Sequence, residues 1–192
     1  MPFDRAYYER YYLNPSTAVT TRAEVQARAR LIAACLGYLE IPVRRILDAG
    51  CGIGALRRPL LRQLKGATYV GLEVNDYICK RYGWRQGAIQ DFHSRARFDL
   101  VICNDVLQYL DDAESRRAIR NLESVCRGAL YFGALTKEDW EDNCDRPLTD
   151  KTPWLRPDSW YRRELKRGFV SIGCGIWVHN ETPVSLWSLE RG

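Results

Sequence analysis

Residues 46–54, ILDAGCGIG, constrain the fold of this chain more than any other segment. Apolar residues lead into an acid, and three glycines then alternate with larger residues. Glycine is favoured where the backbone must adopt a positive φ or approach another group closely. A strand that runs into such a turn and then into a helix is typical of the ligand crevice of a nucleotide-binding α/β sheet.

Two acids near this turn narrow the choice of ligand. Glu73 ends the next apolar run, 23 residues after Gly50, which is about the ~20-residue offset at which a carboxylate meets ribose hydroxyls. Asp48 precedes Gly50 by two residues. A helix N-terminus suits a pyrophosphate, but a carboxylate in the same turn repels one and attracts an ammonium group. The pair favours a ligand with both ribose hydroxyls and an ammonium group, such as S-adenosylmethionine, over a dinucleotide.

From residue 44 onwards, short apolar runs alternate with amphipathic stretches. We predict strands in RRILDA, TYVGLE, RQGAIQDF, FDLVICN and GALYFGAL, and helices in ALRRPLLRQLK, NDYICKRY and DDAESRRAIRNLESVCR. FDLVICN is apolar almost throughout, as the strands of buried parallel sheets are. The alternation predicts an α/β fold with a doubly wound, Rossmann-like, mostly parallel seven-stranded sheet.

The two ends of the chain depart from this alternation. A capping box at Thr21 and Glu24 predicts the start of an N-terminal helix. A long connection, residues 136–156, precedes a predicted helix in RPDSWYRRELKRG. We predict that FVSIGCGIWVH and PVSLWSLE then form an antiparallel hairpin around the turn residues 180–182.

Composition favours one globular domain of 192 residues, with a helical N-terminal part in residues 1–40 and the core in residues 44–192. The net charge is +5, and the basic pairs are spread along the chain, which is typical of solvated faces more than of a nucleic-acid stripe. Seven scattered cysteines without metal-ligand spacing predict neither disulfides nor a metal site. No secretion signal or bilayer-length apolar run is present, so we expect a cytoplasmic protein without membrane partners.

Several motifs resemble those of one family. The run ILDAGCGIG, followed by YVGLEV, GAIQDF and FDLVICNDVLQYL, resembles the successive motifs of the class I S-adenosylmethionine-dependent methyltransferases. The resemblance covers about residues 40–190 and implies S-adenosyl-L-methionine as cofactor. It implies Asp48, Gly50, Cys51 and Gly52 around the methionine part, Glu73 at the ribose, Val74, Ile89 and Gln90 around adenine, and Asn104 near the sulfonium.

The N-terminal FDRAYYERYY resembles a segment that folds over the cofactor in many members of this family. The resemblance makes Tyr7, Tyr8, Tyr11 and Tyr12 candidates for contacting the cofactor carboxylate, and we assign Tyr11 and Tyr12 to the site.

The chain departs from the family pattern at two places. Many relatives have Gly-Asp after the third strand, whereas this chain has Gly87-Ala88, which leaves Gln90 or Asp91 for the adenine amino group. The fourth strand ends in NDVL at residues 104–107, not in the Asn/Asp-Pro-Pro-Tyr signature of many enzymes that methylate amide or exocyclic nitrogens. This departure counts against methylation of adenine N6 and of glutamine.

Methyl transfer from a sulfonium is an in-line displacement, so the main task is to hold donor and acceptor atoms ~3–3.5 Å apart. A general base helps if the acceptor carries a proton. The sequence singles out no catalytic residue, and the candidates for such a base are Tyr12, His93, Asp105, Asp139 and His179. The candidates for contact with the substrate are His93, in the loop after the third predicted strand, and Trp140 and Trp154. The two tryptophans belong to the long connection, which lines the acceptor pocket in this fold.

We therefore expect methyl transfer to an oxygen or nitrogen of a small-molecule acceptor, by a monomer or homodimer that does not act on nucleic acid. One alternative is an RNA methyltransferase, which the net charge favours but no clustered basic face supports. A second is a catalytically inactive cofactor-binding subunit, suggested by the missing Gly-Asp. A third, an NAD-dependent oxidoreductase, is disfavoured by Asp48.

Overall fold

The computed structural model describes Tyr8, residues 20–144, Thr149 and residues 153–192. Its strands are β1 (Arg45–Ala49), β2 (Thr68–Glu73), β3 (Arg85–Gln86), β4 (Phe98–Asn104), β5 (Cys126–Gly133), β6 (Phe169–Gly173) and β7 (Ile176–His179). They form one sheet in the order β3-β2-β1-β4-β5-β7-β6. Strands β1 to β5 are parallel, and β7 runs antiparallel to both β5 and β6. The predicted α/β class with a mostly parallel seven-stranded sheet is confirmed.

Six α-helices accompany the strands in the described residues. They are α1 (Arg22–Tyr38), α2 (Arg57–Gln63), α3 (Asp76–Tyr82), α4 (Asp112–Val125), α5 (Lys137–Asp142) and α6 (Asp158–Leu165). The predicted capping box of Thr21 and Glu24 starts α1, and Asp111 with Glu114 forms a second one before α4. In each box two backbone N–H groups that the helix itself leaves unpaired find acceptors.

The helices cover both faces of the sheet. On one face, Ile32 and Leu36 of α1 and Leu60 of α2 pack against the sheet. On the other face, α4 and α6 pack through residues that include Leu122 and Leu165. Since neighbouring side chains of a strand point to opposite faces, buried strands between two helical layers are apolar almost throughout.

The strand order reverses between β1 and β4. From β1 the chain proceeds outward through β2 and β3, whereas β4 lies on the other side of β1 and continues to β5. The connections that leave the carboxyl ends of β1 and β4 therefore diverge, and a crevice opens between them. This topology places the glycine-rich turn and the segment after β4 on the two sides of one cleft.

The predicted C-terminal hairpin is wrong in its position. Both strands lie within FVSIGCGIWVH, and the chain reverses at Cys174 and Gly175, whose φ values are 50° and 78°. Positive φ at both central residues is what a tight two-residue hairpin turn requires. Residues 183–190, predicted as the second strand, contain no strand and end in a 3₁₀ helix, Ser188–Glu190.

The predicted third strand is also shorter than expected. Only Arg85 and Gln86 of RQGAIQDF pair with β2, because their partners Leu72 and Glu73 are the last residues of that strand. With no further backbone to pair with, the chain turns into the 3₁₀ helix Ile89–Asp91.

All seven cysteines are free thiols. In the described ranges, no helix has both the length and the apolar character needed to span a bilayer. The cytoplasmic location stays a prediction.

Candidate functional site

The glycine-rich turn lies between β1 and α2, at the carboxyl edge of the sheet. Gly50, Gly52 and Gly54 all have positive φ, a conformation that side chains beyond glycine adopt at a cost. A Cβ atom on Gly50 would collide with the side chain of Val106, in the segment after β4. The indole N–H of Trp84 donates a hydrogen bond to the Gly52 carbonyl at 2.9 Å. The turn is therefore held in place, and its backbone is left uncovered on the crevice side.

Glu73 lies at the end of β2 and is only 4% exposed. Its Oε2 accepts a hydrogen bond from the Gly52 N–H at 2.9 Å. Its Oε1 accepts from the N–H groups of Val74 and Asn75, at 2.8 Å and 3.0 Å. These bonds fix the carboxylate in one orientation, and a carboxylate has about four lone-pair sites, so acceptor capacity remains for a ligand hydroxyl.

Asp48 lies in β1 and is buried beneath the same turn. Its carboxylate accepts a hydrogen bond from the Tyr69 hydroxyl. Burial raises the pKa of Asp48 from 3.8 to about 6; the Tyr69 bond opposes this shift, and the charge of Glu73 adds to it. A cation close to this carboxylate would favour its ionised form.

A crevice with about 700 Å³ of empty space, part of it open to solvent, lies between the turn and the segment after β4. Its walls are formed by residues from five parts of the chain, namely Tyr8, Gly50, Gly52, Glu73, Val74, Gly87, Ala88, Ile89, Gln90, Asp105, Val106, Tyr109 and Leu110. Apolar side chains and backbone predominate, and Glu73 and Asp105 are the charged residues of this wall.

The segment after β4 forms one wall of the crevice. Asp105 has a φ of 57°, and its carboxylate accepts hydrogen bonds from the side chains of Asn104 at 2.5 Å and Gln108 at 3.4 Å. Gln108 itself is buried, and its backbone carbonyl accepts from the Trp154 N–H at 2.6 Å. The long connection is thus bonded directly to the crevice wall.

Arg156 fixes this wall from behind. The side chain is buried, and it donates to the carbonyl oxygens of Leu107 at 3.1 Å and Leu110 at 2.5 Å and to the carboxylate of Asp112 at 2.7 Å. The guanidinium group also lies 4.9 Å from the ring centre of Trp160, in α6. One side chain therefore joins the crevice wall, the start of α4 and α6.

A second cavity lies beside the crevice at the carboxyl end of β5. The rings of Phe132, Tyr161 and Trp177 form its aromatic walls. Gly133 lines it too, and the side-chain oxygen of Asn104 lies so close that a Cβ on Gly133 would collide with it. Since Asn104 bonds to Asp105, these two side chains separate the second cavity from the crevice.

Known proteins with a related sequence support one family. A family model described as a methyltransferase domain matches residues 47–128. Malonyl-[acyl-carrier protein] O-methyltransferase of Magnetococcus marinus is 27% identical over 157 residues, which cover 73% of this chain and 56% of the relative. Nodulation protein S of Rhizobium tropici is 31% identical over 122 residues, which cover 58% of this chain and 50% of the relative.

A solved structure is similar in fold. The N-methyltransferase NodS of Bradyrhizobium japonicum, in complex with S-adenosyl-L-homocysteine, aligns with a TM-score of 0.56 at 19% identity, covering 79% of this chain and 87% of that one. The family match to residues 47–128 contains the glycine turn, Glu73 and all of β4. The family match and the named relatives support a class I S-adenosylmethionine-dependent methyltransferase domain in this chain. S-Adenosyl-L-methionine is the cofactor of this family. The chain spans about half the length of the curated relatives it matches.

In this methyltransferase domain, the structure brings most of the predicted cofactor residues to one crevice. Those that line it are Gly50, Gly52, Glu73, Val74, Ile89 and Gln90. Three predicted residues are not in the wall: Asp48 is buried in β1, the Cys51 side chain lies under the turn against Gly71, and Asn104 is the last residue of β4. Tyr8, one of the four candidate tyrosines, is buried and lines the crevice, whereas Tyr7, Tyr11 and Tyr12 are outside the described residues.

The remaining candidate residues lie elsewhere. His93 is exposed after the 3₁₀ helix that follows β3. Asp139 lies in the first turn of α5, where its carboxylate accepts a hydrogen bond from the hydroxyl of the capping residue Thr136. His179 ends β7 at the opposite edge of the sheet, where it contacts Arg97. None of the three belongs to the described crevice wall.

The two candidate tryptophans lie on the long connection. Trp140 is half-buried in α5, and Trp154 is 58% exposed next to the crevice wall. Sequence reasoning missed the wall residues Gly87, Ala88, Val106, Tyr109 and Leu110. The signal for the last three was the apolar spacing of VLQYL directly after β4.

Proposed function

We propose that this chain transfers a methyl group from S-adenosyl-L-methionine to an oxygen or nitrogen of a small-molecule acceptor. The observation that carries the proposal is the Glu73 carboxylate, which three backbone N–H groups hold in the wall of an otherwise mostly apolar crevice. The match of residues 47–128 to a methyltransferase domain supports the same reaction.

The residues of the crevice fit the proposed cofactor. The remaining lone-pair site of Glu73 suits a ribose hydroxyl, as in other nucleotide-binding sheets. Val74 and Ile89 offer apolar surfaces for the adenine ring, and Gln90 offers an amide at its edge. Ala88 supplies no carboxylate for the adenine amino group, so we assign that contact to Gln90.

The uncovered backbone at Gly50 and Gly52 suits the methionine part of the cofactor. Asp48 and Cys51 are under this backbone, so we propose that Asp48 acts through its negative charge on the ammonium group and Cys51 through its main chain. Of the four N-terminal candidate tyrosines, Tyr8 is the described one, and it is in position to contact the cofactor. The assignment of Tyr11 and Tyr12 stays a prediction, as does the cap formed by residues 1–40.

The bound cofactor supplies an electrophilic methyl group on a sulfonium, which becomes a neutral thioether as the acceptor atom forms its new bond. The protein's task is to hold the acceptor in line with that methyl group and to exclude water. The acceptor also loses a proton when it is a hydroxyl or a protonated amine. Of the candidate bases, Asp105 belongs to the described crevice wall, and Asn104 and Gln108 orient it. We propose Asp105 as the proton acceptor.

The second cavity supports a small, flat acceptor. Aromatic side chains are large rigid surfaces on which planar molecules stack, and Phe132, Tyr161 and Trp177 supply three of them. Asn104 lies between this cavity and the crevice, at the place where the reacting atoms would meet. The named relatives are an O-methyltransferase and an N-methyltransferase in their printed names, and so they support either acceptor atom.

The direct test is isothermal titration of the protein with S-adenosylhomocysteine and with NAD. We expect micromolar binding of S-adenosylhomocysteine and no binding of NAD, followed by turnover in a screen of planar hydroxyl and amine acceptors. Tight cofactor binding without turnover of any acceptor would favour the inactive-subunit alternative. The absence of adenosyl binding by the folded protein would refute the proposal.

A further inference from the structure

The net positive charge of this chain comes from one part of it, although basic residues occur throughout. Residues 21–66 contain nine basic and three acidic residues, a net charge of +6, whereas the whole chain has +5. The rest of the chain is therefore close to neutral. This segment contains α1 and α2, which pack side by side on one face of the sheet.

Six basic residues of these two helices and their ends are exposed to solvent. One of them, Arg57, lies over the ring of Trp84, and we call the other five the basic face. They are Arg22, Arg30, Arg58, Arg62 and Lys65. Their helices turn the apolar flanks, with Ile32, Leu36 and Leu60, towards the sheet. The basic residues consequently remain on the outer side, where Arg58 and Arg62 are one turn apart and repel each other.

Within the described part of the chain, no residue of the basic face forms an ion pair. The acids of the same segment are engaged or distant: Asp48 is buried, Glu24 is bonded to Thr21 in the capping box, and Glu40 lies beyond the end of α1. Elsewhere, exposed basic side chains do find carboxylates, as Lys80 finds Asp76. The described residues thus leave the charge of the basic face without a neutralising carboxylate.

The basic face also has a recess between its two helices. Its walls are formed by Gln26, Arg30, Pro59, Arg62 and Gln63. Two guanidinium groups and two amides supply hydrogen-bond donors in one small concave area. Guanidinium groups bind carboxylates with two parallel hydrogen bonds, and so this donor set suits an acidic side chain from outside.

We propose that the basic face is a docking surface for the acidic surface of a protein partner, with a carboxylate seated between Arg30 and Arg62. Single-stranded nucleic acids are held by aromatic side chains on which bases stack, and the recess contains none. The exposed aromatic residue of α1, Tyr38, lies at the end of that helix, where its hydroxyl donates to an acid, Glu190. A protein surface with acidic side chains matches both the charge and the donors of the recess. The basic face shares no residue with the cofactor crevice, so this inference is independent of the proposed reaction.

The test uses a fluorescein-labelled 20-residue glutamate peptide as probe, with binding followed by fluorescence anisotropy at about 50 mM and about 200 mM salt. We expect binding at the lower salt concentration. The double variant Arg30→Glu/Arg62→Glu should weaken it by more than about tenfold, because like charges then face each other.

The matched control is Arg117→Glu/Arg120→Glu, which reverses two exposed charges on α4 and changes the net charge by the same amount. We expect this control to bind the peptide within about threefold of the unaltered protein, because its changes lie on the other face of the sheet. Equal losses in both variants would mean that net charge alone attracts the peptide, and the docking surface would be refuted.

A second probe of the same length, a 20-nucleotide single-stranded RNA, separates the two classes of partner. Tighter binding of RNA than of the peptide, lost in Arg30→Glu/Arg62→Glu, would replace the protein partner by a nucleic acid. No binding of the peptide at the lower salt concentration would overturn the inference as well. Titration with S-adenosylhomocysteine reports on the cofactor site alone and confirms that each variant is folded.

Discussion

Arg156 holds Leu107 across 49 residues of sequence, through a hydrogen bond of 3.1 Å from its Nη1 to the Leu107 carbonyl oxygen. The same guanidinium group donates to the Leu110 carbonyl at 2.5 Å and to Asp112 at 2.7 Å. Because Leu110 lines the cofactor crevice, this one side chain couples the long connection to the crevice wall. The position of Arg156 thus bears on cofactor binding although it does not line the crevice.

We expect Arg156→Ala to lower the free energy of unfolding by about 2–4 kcal/mol, because two carbonyl groups lose a buried partner. Arg156→Lys should recover only part of this, since an ammonium group cannot form the forked pattern of a guanidinium. Urea denaturation measures the loss, and titration with S-adenosylhomocysteine should show weaker binding in both variants.

The control is Arg162→Ala, which removes a half-exposed ion pair with Asp158 on α6 and should change stability by less than about 1 kcal/mol. Cofactor affinity unchanged in a less stable Arg156→Ala would show that the crevice wall does not depend on Arg156.

The second prediction concerns the carboxylate of Glu73. In Glu73→Gln an amide NH₂ replaces one oxygen and faces a backbone N–H, either of Gly52 or of Val74 and Asn75, so two donors oppose each other. We expect S-adenosylhomocysteine to bind about 10- to 100-fold more weakly, because one charged acceptor for ribose hydroxyls is lost.

The control is Asp76→Asn, which removes a nearby exposed acid that pairs with Lys80 and should leave the affinity for S-adenosylhomocysteine unchanged. Calorimetric titration of both variants decides the matter, and equal affinities would exclude Glu73 from the ribose site.

The sequence predicted the elements of the fold well where local signals agree. The capping box at Thr21 and Glu24 and the apolar run of β4 each specify one structure. The hairpin was misplaced because two turn signals compete in the tail. Residues 180–182 have typical turn composition, but Cys174 and Gly175 adopt the two positive φ values that a tight reversal needs.

The candidate site was predictable where a motif carries it and hidden where tertiary contacts build it. Gly50, Gly52 and Glu73 belong to a spacing pattern and were found. Arg156 was not, because it bonds to backbone carbonyls 46 and 49 residues away, and carbonyls leave no trace in a sequence. The clustering of Arg30 and Arg62 was hidden for a related reason, since helix packing brings the two together.

The third prediction follows from the pKa of Asp48, which burial raises from 3.8 to about 6. Between these values the folded protein binds a proton that the unfolded chain has released. The stability contribution of Asp48 is therefore highest at low pH and falls as the pH rises through 6. Asp48→Asn lacks this titration and still accepts the hydrogen bond of Tyr69.

The free energy of unfolding of Asp48→Asn, relative to the unaltered protein, should increase by about 1 kcal/mol from pH 5 to pH 8. Urea denaturation at both pH values measures it. Asp99→Asn serves as control: burial raises the pKa of Asp99, but hydrogen bonds from Arg127 and two backbone N–H groups outweigh burial and lower it. The change that Asp99→Asn makes in the free energy of unfolding should therefore be the same at pH 5 and pH 8. A pH-independent effect of Asp48→Asn would contradict the raised pKa.

The last prediction uses two glycines that differ in their surroundings. Gly50 has a φ of 73°, and a Cβ atom there would collide with Val106 on the opposite wall of the crevice. Gly50→Ala should therefore lose about 1–2 kcal/mol of stability from backbone strain alone, and the displaced Val106 should weaken S-adenosylhomocysteine binding by more than about tenfold.

Gly37 lies in α1, and a Cβ atom there meets nothing within 4 Å. Gly37→Ala should stabilise the protein by roughly 0.5–1 kcal/mol and leave binding unchanged. Parallel urea denaturation and calorimetric titration test both variants, and full ligand affinity in Gly50→Ala would show that the turn does not approach the cofactor.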